Sequence, residues 1–138
     1  MTAATRLTSL RYVMIATGAI FAFGVYPLTQ IWPAGWSWGA GPSHYRMMII
    51  GVYFVLGLCL IAGSREPLAN RSLIWFTVWS SVLHSVVMAV EAVMDPVERG
   101  HLIGDVPALL LVGIALAFLT PRTATLTVSS SAGARRAA

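Results

Sequence analysis

Long apolar runs, separated by short polar connections, make up most of the chain. A segment that crosses the hydrocarbon core of a bilayer needs about 20 mainly apolar residues. Four runs meet this requirement, at approximately residues 12–31, 45–63, 73–94 and 102–119. Because lipid offers the backbone no hydrogen-bond partner, each run is predicted to be an α-helix. Short connections place successive helices side by side, so the pattern predicts an all-α, antiparallel four-helix membrane bundle over residues 1–122.

The composition also indicates a membrane protein. Of the 138 residues, 57% are hydrophobic and only 10% are charged, whereas soluble domains carry about 25% charged residues. The arginines lie at the ends of apolar runs, which suits lipid phosphates rather than a nucleic acid, so no nucleic-acid partner is expected. The single cysteine, Cys59, lies inside an apolar run and is expected to be a buried thiol.

The placement of the arginines predicts the orientation. Seven of the nine lie in the N-terminal segment, the second connection and the C-terminal tail, and only Arg46 and Arg99 lie near the first and third connections. Positive residues concentrate on the cytoplasmic side, so both termini are expected in the cytoplasm. We therefore expect a multi-pass protein of the bacterial inner (cytoplasmic) membrane, with a disordered cytoplasmic tail over residues 123–138.

Small residues and prolines predict local features of the helices. Residues of small volume four positions apart, Gly18/Ala22 and Gly113/Ala117, allow neighbouring helices to approach closely. Pro27 is expected to kink or shorten the first helix, because it lacks a backbone donor.

The acidic residues are concentrated in one stretch, HSVVMAVEAVMDPVERGHLIGD, which begins at His84 and ends at Asp105. A charge at the centre of a bilayer costs at least about 2.5–3.5 kcal/mol, so such side chains inside a span are expected to face the interior of the bundle. The stretch holds four of the five acids and two of the three histidines: His84, Glu91, Asp95, Glu98, His101 and Asp105.

His84 and Glu91 fall on one face of the third helix, together with Met88. His84, near the middle of the membrane, is either a neutral ring hydrogen-bonded to a neighbouring helix, a ligand of a haem or metal, or a proton relay. Glu91 lies roughly 10 Å further out along the helix. It either reaches the outer interface, forms a structural ion pair with Arg46, or serves a ligand or a proton path.

The third connection has the pattern of a capped helical turn. Asp95 as the capping residue, Pro96 at the first position and Glu98 at the third form a capping-box arrangement. Asp105, two residues before Pro107, either caps the fourth helix or pairs with His101, one turn earlier.

These residues predict a polar pocket in the outer half of the bundle, lined by His84, Glu91, His101 and Asp105. Two histidines and two carboxylates suit a transition metal, for which His84 and His101 are the best candidate ligands. The spacing matches no established metal or phosphate motif. No catalytic residue can be assigned.

The first outer connection contains three tryptophans, at positions 32, 36 and 38. Tryptophan is typical of the membrane interface, so these side chains form either an aromatic belt or a lid over the mouth of the bundle.

The stretch MAVEAVMDPVERGHLIGDVPALLLVGIALAFL, with His84 just before it, resembles small bacterial four-span membrane proteins of unknown function. A looser likeness is to the DoxX-like four-helix membrane proteins. The closer resemblance covers about Tyr45 to Pro121 and is most specific in GHLIGDVPAL. It implies the four-helix fold and supplies no activity.

Three functions are compatible with these features. The leading hypothesis is a non-enzymatic membrane protein, acting as a ligand-binding module or as a partner subunit of another membrane protein or a second copy; it requires no cofactor. The second is a haem- or metal-binding redox subunit coupled to quinol chemistry, with His84 as ligand. The third is a proton-coupled transporter that acts as an oligomer and uses His84 and Glu91.

Overall fold

Residues 2–38 and 43–121 are described by a computed structural model, and within these ranges every regular element is helical. The tail predicted to be disordered lies outside the described residues. Four of the helical segments are long and apolar enough to cross a membrane, which confirms the all-α fold with four candidate spans. The elements are α1 (Ala3–Ala19), a π-helical turn (Ile20–Gly24), α2 (Val25–Ile31), α3 (Pro33–Trp36), α4 (His44–Gly63), α5 (Arg71–Met94), a 3-10 helix (Pro96–Leu102) and α6 (Asp105–Leu119).

The first span is longer than its apolar run. It begins at Ala3 because the Thr2 hydroxyl accepts a hydrogen bond from the Thr5 backbone N–H at 3.2 Å and caps the helix. The span does not end at Pro27. The backbone widens into the π-helical turn just before this proline, which accommodates the missing donor and lets α2 continue to Ile31.

Arginine side chains fasten the helix ends together at one end of the bundle. Arg6 donates to the carbonyls of Phe118, Leu119 and Thr120, where α6 ends. Arg11 donates to the Arg65 carbonyl at 3.2 Å. The last carbonyls of a helix have no partner within it, so these guanidinium groups satisfy acceptors that would otherwise be left unpaired.

A third arginine completes this end of the bundle. Arg71, at the start of α5, donates to the Pro121 carbonyl at 2.7 Å. The start of α1, the α4–α5 connection and the end of α6 therefore lie together, as an antiparallel four-helix bundle requires. We call this the arginine end of the bundle.

The core is most tightly packed near the arginine end. Five apolar side chains there are fully buried: Leu10, Met14, Leu60, Ile74 and Leu116. Many large apolar residues elsewhere are exposed, as expected where helices face lipid. Cys59 is among the exposed residues, so the expectation of a buried thiol was wrong. An apolar run in a membrane helix does not separate core from lipid, because both environments are apolar.

The helices α1 and α4 touch through their smallest residues. A Cβ added to Gly57 would lie 2.5 Å from the Gly18 carbonyl oxygen and 2.6 Å from the Ala22 backbone nitrogen. The close approach expected of Gly18 and Ala22 is thus confirmed, with Gly57 of α4 as the partner. On α6, a Cβ at Gly113 would lie 3.0 Å from a methyl of Val82 on α5.

The four spans form a ring that is open on one side. Packing is extensive between α5 and α6 and between α1 and α4, and α1 also contacts α6. By contrast, α4 and α5 contact one another sparsely. The ring is therefore open between α4 and α5.

The Gly18–Gly57 contact generates a prediction on stability. Gly57→Ala should lower the free energy of unfolding by about 1–3 kcal/mol, because backbone atoms cannot move aside for the methyl group. Gly51→Ala on the same helix is the control, since a Cβ there meets nothing within 4 Å. It should be neutral or stabilising, because alanine favours helix. Thermal melts in one detergent provide the comparison; equal melting temperatures for the two variants would contradict the prediction.

The arginine end also generates a prediction on orientation. Reporter fusions after Arg65 and after Arg122 should both be cytoplasmic, and a fusion at Ala40 should be external, because positive residues are retained on the cytoplasmic side. The opposite pattern at Arg65 and Ala40 would reverse the orientation of the bundle.

Candidate functional site

The short helix before α6 is capped as its sequence predicts. The Asp95 carboxylate accepts a hydrogen bond from the Val97 backbone N–H at 2.9 Å, and Pro96 occupies the first helical position. The Glu98 side chain is directed into the protein, where its Oε2 lies 3.4 Å from His101 Nε2. Glu98 lies three residues after the capping residue, and its side chain also forms part of the interior of the site.

His101 is almost completely buried between two carboxylates. It is 1% exposed, and its Nδ1 lies 3.0 Å from Asp105 Oδ2. Asp105 is not the cap of α6; the capping position is Gly104, which has no side chain to offer. Asp105 instead occupies the first turn of α6, where the helix dipole favours a negative charge.

The tryptophan-rich segment covers this pair. The backbone of α3 packs so closely on the 3-10 helix and the start of α6 that a Cβ at Gly100 would collide with the Ala34 carbonyl, and one at Gly104 with the Gly35 carbonyl. Trp38 adds its ring, 5.5 Å between centroids from the His101 ring. Residues 33–38 therefore form a roof over His101 and Asp105. This arrangement matches the lid interpretation, while the aromatic belt stays a prediction, since Trp32 and Trp38 are 38% and 41% exposed.

A cavity of about 400 Å³ lies beneath the roof. Asp105 and Arg46 both line it, and each has a buried polar atom, Asp105 Oδ1 and Arg46 Nε, with no hydrogen-bond partner in the described part of the chain. The rest of the Arg46 guanidinium is held in place, because its Nη1 donates to Ser37 Oγ at 2.6 Å. The described lining residues are Val25, Thr29, Trp36, Trp38, Ser43, Tyr45, Arg46, Ile49, Ile50, His84, Met88, His101 and Asp105.

His84 lies where this cavity meets two others. Its Nδ1 is 3.2 Å from the hydroxyl of Tyr53 on α4, and the two rings meet edge to face at 5.8 Å. Phe21 packs against the other side of Tyr53, 4.7 Å between centroids. His84 also lines an inner cavity of about 210 Å³ and a groove of about 370 Å³ between α4 and α5. The contact with Tyr53 matches the structural interpretation of His84, a ring hydrogen-bonded to a neighbouring helix.

Glu91 is separate from this site. It is exposed near the end of α5 and does not line the cavity. Arg46 donates to Ser37, and the structure forms no ion pair between Arg46 and Glu91. Of the four residues predicted to line one pocket, His84, His101 and Asp105 come together and Glu91 does not.

A hydroxyl on α5 joins this helix to α6 beside the site. Ser85 Oγ donates to the Val106 carbonyl at 2.8 Å in a fully buried contact. One turn earlier, Ser81 is also buried, and its hydroxyl has no hydrogen-bond partner among the residues described. Of these two hydroxyls, only that of Ser85 joins two helices.

The histidines and acids do not form a metal centre in the described ranges, 2–38 and 43–121. No group of three or more His, Cys, Asp and Glu side chains there is arranged to hold an ion. His84 and His101 both line the cavity but have different partners, Tyr53 for the first and two carboxylates for the second.

Two members of the site were missed in the sequence. Tyr53 lies in the middle of an apolar run, and its hydroxyl needs a partner in that environment, which was an available signal. Ser37 gave no such signal, because its role depends on how the roof folds back toward Arg46.

The chain belongs to a protein family of unknown function, DUF6632, whose model matches residues 4–138. This confirms the expectation of an uncharacterised family. No curated protein and no solved structure matches the chain.

The Tyr53–His84 contact can be tested by substitution. Tyr53→Phe and His84→Leu should each lower the free energy of unfolding by about 1–3 kcal/mol, because each leaves one buried polar group without its partner. The double variant should cost less than the sum, since both remove the same hydrogen bond.

Tyr12→Phe is the matched control, because Tyr12 is 69% exposed. Thermal melts of the four variants supply the comparison. Strictly additive losses, or a melting temperature unchanged by His84→Leu, would show that the contact does not stabilise the bundle.

Proposed function

We propose that this protein is a non-enzymatic, ligand-binding integral membrane protein whose site is the cavity beneath the roof. The observation that carries the proposal is that Asp105 and Arg46, which each have a buried polar atom without a hydrogen-bond partner, both line one cavity of about 400 Å³. This volume lies within the range of about 300–1,000 Å³ that is typical of small-molecule sites.

The chemistry of the lining supports a ligand that forms hydrogen bonds. A buried polar group without a partner costs about 1–3 kcal/mol. A bound molecule that donates to Asp105 and accepts from Arg46 removes this cost at both positions. The surrounding tryptophan and aliphatic side chains supply the apolar contacts that most ligand sites combine with a few polar groups.

The packed core supports a binding site rather than a path across the bundle. The polar side chains of the site lie between the roof and His84. Beyond them, toward the arginine end, the interior is filled by fully buried side chains, including Leu10, Met14 and Leu116. Beyond the inner cavity at His84, these packed side chains close the interior toward the arginine end, which suits a receptor or carrier subunit.

The orientation we propose places the arginine end in the cytoplasm of a bacterial cell and the roofed site in the outer half of the inner membrane. The distribution of positive residues supports this placement. A ligand would then come from the outer leaflet or the outer compartment.

Native mass spectrometry of the protein in nanodiscs cut from its own membrane tests the proposal. We expect one small molecule, distinct from the bulk lipids, to remain bound at unit stoichiometry. Asp105→Asn and Arg46→Gln should each lower its occupancy about tenfold, because each removes one partner of the ligand.

Two control variants make the same chemical changes outside the cavity. Glu91→Gln and Arg99→Gln alter exposed side chains, so both should retain the ligand. Retention by all four variants would overturn the proposal. A haem absorption band or a stoichiometric metal that His84→Leu abolishes would instead favour the redox hypothesis.

A further inference from the structure

The roof leaves the cavity with an opening toward the lipid. On the side of the roof, the cavity is closed by backbone packing at Gly100 and Gly104, where not even a Cβ fits. The groove shares His84 with the cavity, and its described lining comes from α4 and α5, the neighbouring spans of the ring that contact one another least. Tyr45, Ile49 and His84 line both spaces, so the groove lies directly beside the cavity.

The groove is suited to a hydrocarbon chain. Apart from Ser80, His84 and the two tyrosine hydroxyls, its described lining is apolar, with Met48, Val52 and Leu56 on α4 facing Phe76 on α5. A further apolar groove of about 640 Å³ shares Met48, Val52, Leu56 and Phe76 and extends to Cys59. From Tyr45 to Cys59 the two cover roughly 20 Å of helix at 1.5 Å per residue.

The lining of the cavity beneath the roof includes one acidic and one basic side chain, Asp105 and Arg46. Asp105 Oδ1 needs a donor, and Arg46 Nε needs an acceptor. A carboxylate or phosphate head would pair with Arg46 but be repelled by Asp105, and an ammonium head would do the reverse. An uncharged head that carries hydroxyl groups suits both positions, because each hydroxyl can donate as well as accept.

We propose that the ligand is a single-chain amphiphile with an uncharged hydroxyl-bearing head, which enters sideways from the bilayer between α4 and α5. The head lies beneath the roof against Asp105 and Arg46, and the chain lies along α4. This inference rests on the proposed function and specifies its class of ligand and its route of access.

Three probes with the same chain and different heads test the class of ligand: monolauroylglycerol, laurate and laurylammonium. Each is titrated into the protein in phosphatidylcholine nanodiscs, and the bound fraction is measured by native mass spectrometry. Monolauroylglycerol should bind at least about tenfold more tightly than either charged probe, because only it satisfies both unpartnered atoms. Equal binding of the three, as for bulk lipid, would overturn the inference.

Obstruction of the groove tests the route. Val52→Trp and Met48→Trp place a large ring in the groove at positions that are exposed and therefore tolerant. Both should lower monolauroylglycerol binding about tenfold. Leu83→Trp is the control, since Leu83 is equally exposed on α5 but does not line the groove. Unchanged melting temperatures verify the fold of each variant.

The outcomes separate this inference from the proposed function. If the groove variants bind monolauroylglycerol as well as the wild type does, lateral access is wrong. The proposed function still stands in that case if Asp105→Asn releases the molecule retained from the native membrane. If no probe binds and Asp105→Asn releases nothing, both proposals are wrong.

Discussion

The hydrogen bond between His101 and Asp105 is the contact on which the outer half of the protein depends. It joins the short helix of the third connection to the first turn of α6, and Glu98 lies on the other side of the same ring. A buried imidazole needs partners for its polar atoms: Nδ1 has Asp105, and Nε2 lies 3.4 Å from Glu98 Oε2 without forming a hydrogen bond. The roof then packs onto a surface that this pair holds in place, and the cavity is the space left between roof, pair and His84.

Most of the fold follows from the sequence, because apolar length and the lack of backbone partners in lipid leave only helices. The i,i+4 spacing of His101 and Asp105 was likewise enough to suggest their pairing. Glu91 shows where such spacing is insufficient. It shares a helical face with His84, yet the roof closes the site over α6 and the 3-10 helix, and Glu91 is left exposed near the end of α5. Helical periodicity shows which side chains share one face of a helix. It does not show how far along the helix neighbouring segments cover that face.

A lid was one of two interpretations of the tryptophan-rich segment, but the contacts of the roof could not be predicted, because they join segments more than sixty residues apart in the chain. In the sequence, this packing is reflected only in the glycines at positions 100 and 104. Each is required by a carbonyl of the tryptophan-rich segment, but a glycine beside a helix start also occurs as an ordinary cap or turn residue, so it does not by itself indicate a close contact. Similarly, Tyr53 and Cys59 occupy one apolar run, but only the folded bundle shows that Tyr53 lines the inner cavity and Cys59 is exposed.

The two ends of the bundle treat their polar groups in opposite ways. At the arginine end, guanidinium groups satisfy the terminal carbonyls, and the core beside them is fully packed. Beneath the roof, a carboxylate oxygen and a guanidinium nitrogen remain unpartnered next to empty space. Such atoms weaken a fold, and a sequence under selection for stability alone would replace them or pair them with each other. The unpartnered atoms lie at the end of the bundle where an external hydrogen-bond partner would stabilise the fold, in line with the ligand that we propose there.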